Sequence, residues 1–210
     1  MMSIRALGPL LVTLFVAAAA NAASRDVGGL ADKLKSAATF CNGTYALCIK
    51  APCTPIASAN GEIDSALCSC DVVKGWSMGP ASCTAREPVQ HGRYSFLMSS
   101  YSNLFNATNK TLSCSSAETE WAWCYGAPCV VDPSDPKKAS CTCPVKQSAA
   151  NTLGGDCHKV ACEGLWSAAT PQADAGASTI FAAYMKKNNP TVPSLPPAEA
   201  CPATSAPGAR

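Results

Sequence analysis

Apolar residues near the N-terminus recur at helical spacing. In residues 23–40, Val27, Leu30, Ala31 and Leu34 follow one another every three or four positions. This pattern predicts a short amphipathic N-terminal helix.

A second helical stripe lies in the C-terminal segment, residues 163–210. Thr170-Pro171 offers an N-cap followed by proline at the first helical position, and Asn188-Asn189-Pro190 offers a stop. The apolar stripe between them predicts core packing, and it consists of Ile180, Phe181, Tyr184 and Met185. Beyond residue 190 the chain is rich in proline and alanine, so we expect an extended tail.

Turn sequences separate segments of β-type composition between the two helices. Asn60-Gly61 is a strong hairpin-turn sequence with arms at 56–59 and 62–73. The Asp-Pro-Ser-Asp-Pro sequence at 132–136 marks a second hairpin tip. The segment 84–113 connects the two hairpins, and its Tyr, Phe and Ser residues between 92 and 105 predict one or two strands.

A longer apolar run, Leu7 to Ala20, precedes these elements. Arg5 places a positive charge before the run, and Ala20-Asn21-Ala22 places small residues at a cleavage site. The run is short for a membrane span. We therefore predict a signal peptide at 1–22 and an exported protein, periplasmic or extracellular, with no membrane span in the mature chain.

The 14 cysteines fall into two copies of one spacing pattern, and two are left over. All follow the predicted cleavage site, so an oxidising compartment would allow every one of them to pair. The first repeat, residues 41–83, contains Cys41, Cys48, Cys53, Cys68, Cys70 and Cys83; the second, residues 114–162, contains Cys114, Cys124, Cys129, Cys141, Cys143 and Cys157, and the extra cysteines are Cys162 and Cys201. The fold expected is small, disulfide-rich and mainly β, with two tandem stapled β-hairpin modules and short terminal helices.

Strand register predicts one disulfide in each repeat. A two-residue loop at Asn60-Gly61 places Cys53 opposite Cys68, at a distance that a disulfide tolerates. A three-residue loop at 134–136 likewise places Cys129 opposite Cys141. In the first hairpin this register requires an edge strand or a bulge at Pro55, which cannot donate a hydrogen bond.

The remaining cysteines are assigned by strand geometry and by counting. Alternate residues of a strand share one face, so the two thiols of Cys68-Ser69-Cys70, and likewise of Cys141-Thr142-Cys143, would reach separate partners. Cys70 and Cys143 would then have partners outside their hairpins. Because each repeat already has six cysteines, Cys162 and Cys201 are expected to bridge each other.

Other cysteine chemistry finds less support in the sequence. Cys-x4-Cys spacing lies at the edge of the zinc-knuckle range, and Cys-x-Cys pairs suit Cu(I) only as thiolates, which oxidation would remove. Thiol exchange needs an exposed thiol of low pKa in an electropositive setting. No serine lies in a Gly-x-Ser-x-Gly elbow, and His91 and His158 are expected at the surface. We therefore predict no catalytic residue, no cofactor and no metal ligand.

Charge excludes two classes of partner. The chain has 16 basic and 14 acidic residues and no basic stripe, which disfavours nucleic acid and anionic membranes. Asn42, Asn106 and Asn109 lie in glycosylation sequons, which matter only in a eukaryotic source.

One stretch resembles uncharacterised cysteine-rich exported proteins of Gram-negative bacteria. The resemblance covers mainly residues 114–170; it rests on the sequence 121–133, on 138–143, on Gly154-Gly155-Asp156-Cys157 and on 165–169. It implies export and carries no known activity.

The function expected from the sequence is a non-enzymatic structural or binding role, because stapled modules present loops rigidly to a partner. That partner, a protein or a cell-surface ligand, is not identified. Two alternatives remain open. One is periplasmic thiol-redox or soft-metal handling, and the other is a protease-inhibitor-like protein that displays Pro52-Cys53-Thr54-Pro55 on a stapled loop.

Overall fold

Antiparallel strands make up most of the fold. The computed structural model describes residues 38–104, 110–153, 162, 164–191 and 199–200. Within them lie eleven strands, a short 3₁₀ helix (Thr84–Arg86) and one α-helix, α1 (Pro171–Asn188). The strands are β1 (Thr39–Leu47), β2 (Cys53–Ala57), β3 (Ile63–Gly79), β4 (Val89–His91), β5 (Tyr94–Met98), β6 (Lys110–Cys114), β7 (Glu120–Ala122), β8 (Pro128–Val131), β9 (Lys138–Gln147), β10 (Ala150–Leu153) and β11 (Glu199–Ala200). The predicted fold class, mainly β and rich in disulfides, is confirmed.

The long strands β3 and β9 form the centre of an eight-stranded sheet. Six strands follow one another in the order β1-β3-β9-β8-β5-β4, and the other two, β2 and β7, pair beside this path with β3 and β9. β3 and β9 pair antiparallel with Cys68 directly opposite Cys141. β2 and β1 pair with successive parts of β3, while β8 and β7 pair with successive parts of β9. A smaller sheet has the order β10-β6-β11, and β11 lies in the predicted tail.

The first hairpin reaches its predicted register through a different turn. The Ser58 N–H donates to the Glu62 carbonyl at 2.9 Å, so the tip encloses three residues, with Gly61 at φ +83°. A shift follows between Ile56 and Ala57, which leaves one extra residue on β3. The larger loop and this bulge compensate each other, so the expected pairs at the base of the hairpin are formed.

The second hairpin has the predicted register, but its tip encloses five residues instead of the expected three. The Asp132 N–H donates to the Lys138 carbonyl at 2.9 Å, and Cys129 lies opposite Cys141. In the first hairpin, Pro55 lies on β2, whose one strand partner in the described residues is β3. Both conditions anticipated for Pro55, an edge position and a nearby bulge, are therefore met.

The predicted N-terminal helix at 23–40 lies outside the described residues up to position 37. Its last two residues, Thr39 and Phe40, instead begin β1, which corrects the prediction there. Phe40 pairs with Met78 of β3, and its ring stacks on Tyr184 of α1 at 3.8 Å. Ladder pairing and ring burial outweigh the weak local helical pattern at these positions.

Helix α1 begins and ends as the sequence predicts. The Thr170 side chain accepts a hydrogen bond from the Ala173 N–H at 3.2 Å, and Pro171 follows at the first helical position. The buried face recurs every four residues: Ala173, Ala177, Phe181 and Met185. In the part of the chain that the structure describes, no helix combines the length and apolarity needed to cross a bilayer.

Three clusters of buried side chains hold the described elements together, and two of them are large. The sulfur core contains eight cysteines, small alanines and Leu97, and the cysteines are Cys48, Cys53, Cys68, Cys70, Cys124, Cys129, Cys141 and Cys143. The aromatic core lies between α1 and the outer ends of β1 and β3, and it contains Phe40, Trp76, Met78, Tyr101, Ala177, Phe181, Tyr184 and Met185.

Candidate functional site

All the cysteines that the structure describes form disulfides, and the six bridges fall into two nested sets. The first set is Cys41–Cys83, Cys48–Cys70 and Cys53–Cys68; the second is Cys114–Cys162, Cys124–Cys143 and Cys129–Cys141. In each set the outermost cysteines join each other, as do the middle and the innermost ones. Cys157 and Cys201 lie outside the described residues.

Both register-based pairings are confirmed, and so is the behaviour predicted for the Cys-x-Cys pairs. Cys68 and Cys70 point from one face of β3 to separate partners, Cys53 and Cys48. In β9, likewise, the two cysteines of the pair reach β8 and the segment after β7. Strand alternation, which places residues i and i+2 on one face, is sufficient to explain this.

The predicted Cys162–Cys201 bridge is wrong, because Cys162 is bonded to Cys114 with a Cα–Cα distance of 5.6 Å. Spacing alone could not distinguish Cys157 from Cys162 as the last cysteine of the second set, since they lie close together in the sequence. The described geometry decides it: Cys114 ends β6, and Trp166, soon after Cys162, packs against Cys114.

The sulfur atoms of the two sets approach one another inside the sulfur core. Cys48 Sγ lies 3.5 Å from Cys141 Sγ, and the sulfurs of Cys68, Cys124 and Cys143 all lie within 4.8 Å of one another. Every one of these sulfurs is in a disulfide, so none offers the thiolate that soft metals and thiol exchange require. This arrangement serves as rigid packing.

A pocket of about 80 Å³ lies between the sulfur core and the first turns of α1. Its walls come from the disulfide residues Cys48 and Cys124, from residues 99–101, 123–125, 151–153 and 167–169, and from Ala173, Asp174 and Ala177 of the helix. Sequence reasoning missed this site. The aromatic run Trp121-Ala122-Trp123-Cys124-Tyr125 was the available indication of it.

Backbone hydrogen bonds fix the pocket walls to both halves of the sheet. The Ser167 N–H donates to the Ala51 carbonyl at 2.9 Å, and the Ala168 N–H donates to the Ala122 carbonyl at 3.1 Å. On another wall, the Ser100 N–H donates to the Ala46 carbonyl at 3.0 Å. The pocket is thus preformed by segments that the disulfide-bonded strands hold in place.

Buried polar atoms without partners concentrate around this pocket. Five such side-chain atoms occur in the described residues, and three belong to pocket residues: Ser100 Oγ, Tyr125 Oη and Asn151 Oδ1. Ser100 is only 3 % exposed. A buried polar group without a hydrogen bond is costly, so such atoms are uncommon in native proteins.

Asp174 is the acidic residue of the pocket and lies in the first turn of α1. Burial raises the pKa of its carboxyl group, and a hydrogen bond from Asn151 Nδ2 to Asp174 Oδ2, at 3.3 Å, opposes that rise. Perturbed carboxyl groups in concave sites are typical of functional positions.

Arg86 is a buried cation behind the pocket residue Tyr125. Its guanidinium donates to the Thr39 carbonyl at 3.2 Å and to Ser77 Oγ at 2.9 Å, and no acidic side chain among the described residues forms an ion pair with it. Burial lowers the pKa of Arg86, while burial raises the pKa of Tyr125 to about 12. Arg86 therefore holds the start of β1 to the end of β3 and reaches the pocket only through Tyr125.

Other residues singled out from the sequence lie away from the pocket. His91 is exposed on β4, and Asn42 is exposed on β1. Pro52-Cys53-Thr54-Pro55 is not a displayed loop, because Cys53 to Pro55 belong to β2 and pair with β3. His158, Asn106, Asn109 and the predicted signal peptide lie outside the described residues.

Comparison with known proteins provides no assignment, because no family model, curated protein or solved structure matches this chain.

Proposed function

We propose that this chain is an exported, non-enzymatic binding protein built from a duplicated disulfide module, and that the pocket beside α1 is its ligand site. The observation that carries the proposal is the preformed pocket itself, whose walls combine the partly buried carboxyl group of Asp174 with the rings of Tyr101, Trp123 and Tyr125. A rigid site lowers the ordering cost of binding.

Duplication is supported by the two disulfide sets, which are nested in the same order. It is also supported by the central seam, where Cys68 of β3 faces its counterpart Cys141 of β9. Export is supported by the apolar N-terminal run and by the density of disulfides, which persist in oxidising compartments. The resemblance to cysteine-rich exported proteins of Gram-negative bacteria supports a periplasmic or extracellular location.

The enzymatic alternative, thiol-redox or soft-metal handling, is less well supported. Cys48, Cys70, Cys124 and Cys143 are each at most 3 % exposed, so among the described bridges an external thiol would most readily reach the outer ones, at the exposed Cys83 and Cys162. Intact mass before and after reduction separates the two functions. We expect a gain of 14 hydrogens on reduction and no reactive thiol in the native protein, whereas several reactive thiols or bound metal would favour the alternative.

A fragment screen by ¹⁵N-resolved NMR tests the ligand site. We expect binding fragments to shift amides in the pocket walls, and Ala168→Leu, which fills the pocket, to abolish those shifts. Ala175→Leu is the matched control, because Ala175 is exposed on α1 and does not line the pocket. Shifts confined to other surfaces, or pocket shifts that survive Ala168→Leu, would contradict the proposed function.

A further inference from the structure

The charge in the pocket walls comes from a carboxyl group. Among the described residues that line the walls, Asp174 is acidic and none is a lysine, an arginine or a histidine. Burial raises the pKa values of Tyr101 and Tyr125 to about 12, so both phenols are neutral at physiological pH. Arg86, the cation behind Tyr125, does not line the pocket; its terminal nitrogens donate to the Thr39 carbonyl and Ser77 Oγ, and its buried Nε has no partner in the described residues.

Within the described part of the chain, the Asp174 carboxylate has no cationic partner. Its side chain accepts one hydrogen bond, from Asn151, and no basic side chain in the described ranges forms an ion pair with it. Burying a carboxylate in this way is unfavourable, and a positively charged hydrogen-bond donor in the pocket would relieve the cost.

The other polar atoms around the pocket can also accept hydrogen bonds. Asn151 Oδ1 is purely an acceptor, and the hydroxyl oxygens of Ser100 and Tyr125 each have lone pairs and no partner. The two hydroxyls can donate as well as accept, but Asn151 Oδ1 and the Asp174 carboxylate only accept, and an ammonium group supplies the donors that these two require.

Aromatic rings in the pocket walls also favour a positively charged ligand. Trp123, Tyr125 and Tyr101 all line the pocket, and the rings of Trp123 and Tyr125 lie 5.9 Å apart. The negative face of an aromatic ring attracts a cation, most strongly for tryptophan.

We propose that the pocket selects small organic ammonium ions, with Asp174 as the counterion and the aromatic rings as a hydrophobic and cation-binding wall. The inference rests on the proposed function and names its ligand class. The volume of about 80 Å³ is well below the roughly 300–1,000 Å³ of pockets for drug-sized ligands. The site therefore takes a compact amine or the amine end of a larger molecule.

Three nearly isosteric probes test the ligand class: isobutylammonium, isobutanol and isobutyrate, titrated separately into the oxidised full chain at neutral pH. Pocket amides monitored by NMR should saturate with isobutylammonium at a concentration at least about tenfold lower than with isobutanol. Isobutyrate should not bind. Asp174→Asn should bring the ammonium and the alcohol to equal affinity, and the exposed control Asp64→Asn should keep the preference.

The outcomes separate the two proposals. Equal binding of all three probes, or a preference for isobutyrate, would overturn the ammonium assignment and leave the pocket as a binding site. Absence of any pocket shift with all three would overturn both. Lowering the pH through the titration of Asp174 should reduce the ammonium preference in the natural protein and leave isobutanol binding unchanged in Asp174→Asn.

Discussion

The sulfur core and the aromatic core both hold strands and helix together, but they do so with different side chains. The sulfur core buries cysteines and alanines, side chains that contribute little apolar area each, and covalent bonds join its strands. The aromatic core buries large rings such as Phe181, which is fully buried, and Phe40 and Tyr184 stack at 3.8 Å. No described disulfide lies among the residues of the aromatic core.

The comparison shows where a chain with 7 % aromatic residues uses them. Five of the rings gather where α1 packs against the sheet, a contact that the hydrogen bond between Tyr101 Oη and Ser178 Oγ also supports, while disulfides restrict the unfolded chain where the side chains are small. The pocket lies where the two cores meet, with Cys48 and Cys124 on one wall and Ala177 on the other. One of its walls is thus covalently fixed and the other depends on helix packing.

Reduction should have the largest effect, and it should act through the sulfur core. Disulfides typically contribute about 2–4 kcal/mol each, so six of them rival the whole net stability of a domain, about 5–15 kcal/mol. We expect the fully reduced and alkylated chain to lose its near-ultraviolet circular dichroism and NMR dispersion. A reduced chain that keeps a native spectrum would show that side-chain burial alone holds the fold.

Phe181→Ala should give the next largest effect, now in the aromatic core. Removing a fully buried ring typically costs about 3–5 kcal/mol in the free energy of unfolding, measured by urea denaturation. The disulfide map should stay unchanged, because the sulfur core does not include this residue. Lys187→Ala, exposed on the same helix, is the control and should change stability little. A scrambled disulfide map in Phe181→Ala would mean that the two cores are not independent.

Removing a single disulfide allows its contribution to the free energy of unfolding to be compared with that of the Phe181 ring. The double substitution Cys48→Ala with Cys70→Ala opens a bridge of sequence separation 22, worth about 3 kcal/mol in the chain-entropy account. Peptide mapping should find the other five described bridges intact. Loss of stability far beyond that of Phe181→Ala would indicate that packing between the sulfur atoms adds strongly to the constraint of the bond.

The start of α1 offers a smaller test on the helix side of the pocket. Thr170→Ala removes the acceptor for the Ala173 N–H, and the loss of such a cap typically costs about 1 kcal/mol in the free energy of unfolding. Thr170→Ser keeps a hydroxyl and should keep most of the stability. If Thr170→Ser has the same thermal stability as Thr170→Ala, the cap hydrogen bond contributes nothing to stability.

The smallest effect should come from pH, through Asp174 between the two cores. Its pKa in the folded protein lies above the ordinary value of 3.8, so the folded state binds the proton more tightly than the unfolded state does. The stability from this group is therefore complete below pH 3.8 and is lost as pH rises through the folded-state pKa. Urea denaturation across this range should show the natural protein losing stability relative to Asp174→Asn. A relative gain with rising pH would contradict the direction of the shift.

The features that sequence reasoning predicted correctly are those set by local geometry. Strand alternation and turn position sufficed to pair Cys53 with Cys68 and Cys129 with Cys141, although both loops are longer than expected. A bulge restores the register in the first hairpin, and two added loop residues leave it unchanged in the second. The Thr170 cap located α1. Cys162 was misassigned because its partner, Cys114, is brought close by non-local pairing rather than by spacing. The pocket was missed for a similar reason, since its walls come from segments far apart in the sequence and a carboxyl group such as Asp174 carries no motif.

The seam between β3 and β9 has a mechanical consequence. Each set of described bridges closes on itself, within 41–83 or within 114–162, and none crosses between them. The seam is held by seven residue pairs and, at one end, by an ion pair between Lys138 Nζ and Asp71 Oδ1 at 2.6 Å. A force that pulls the two halves apart would act on hydrogen bonds at the seam, whereas within each half it would act on disulfide bonds. Under tension the two halves should separate by breaking these hydrogen bonds together with those near the pocket, such as the Ser167 N–H to the Ala51 carbonyl, and each half should remain a closed loop that resists further extension.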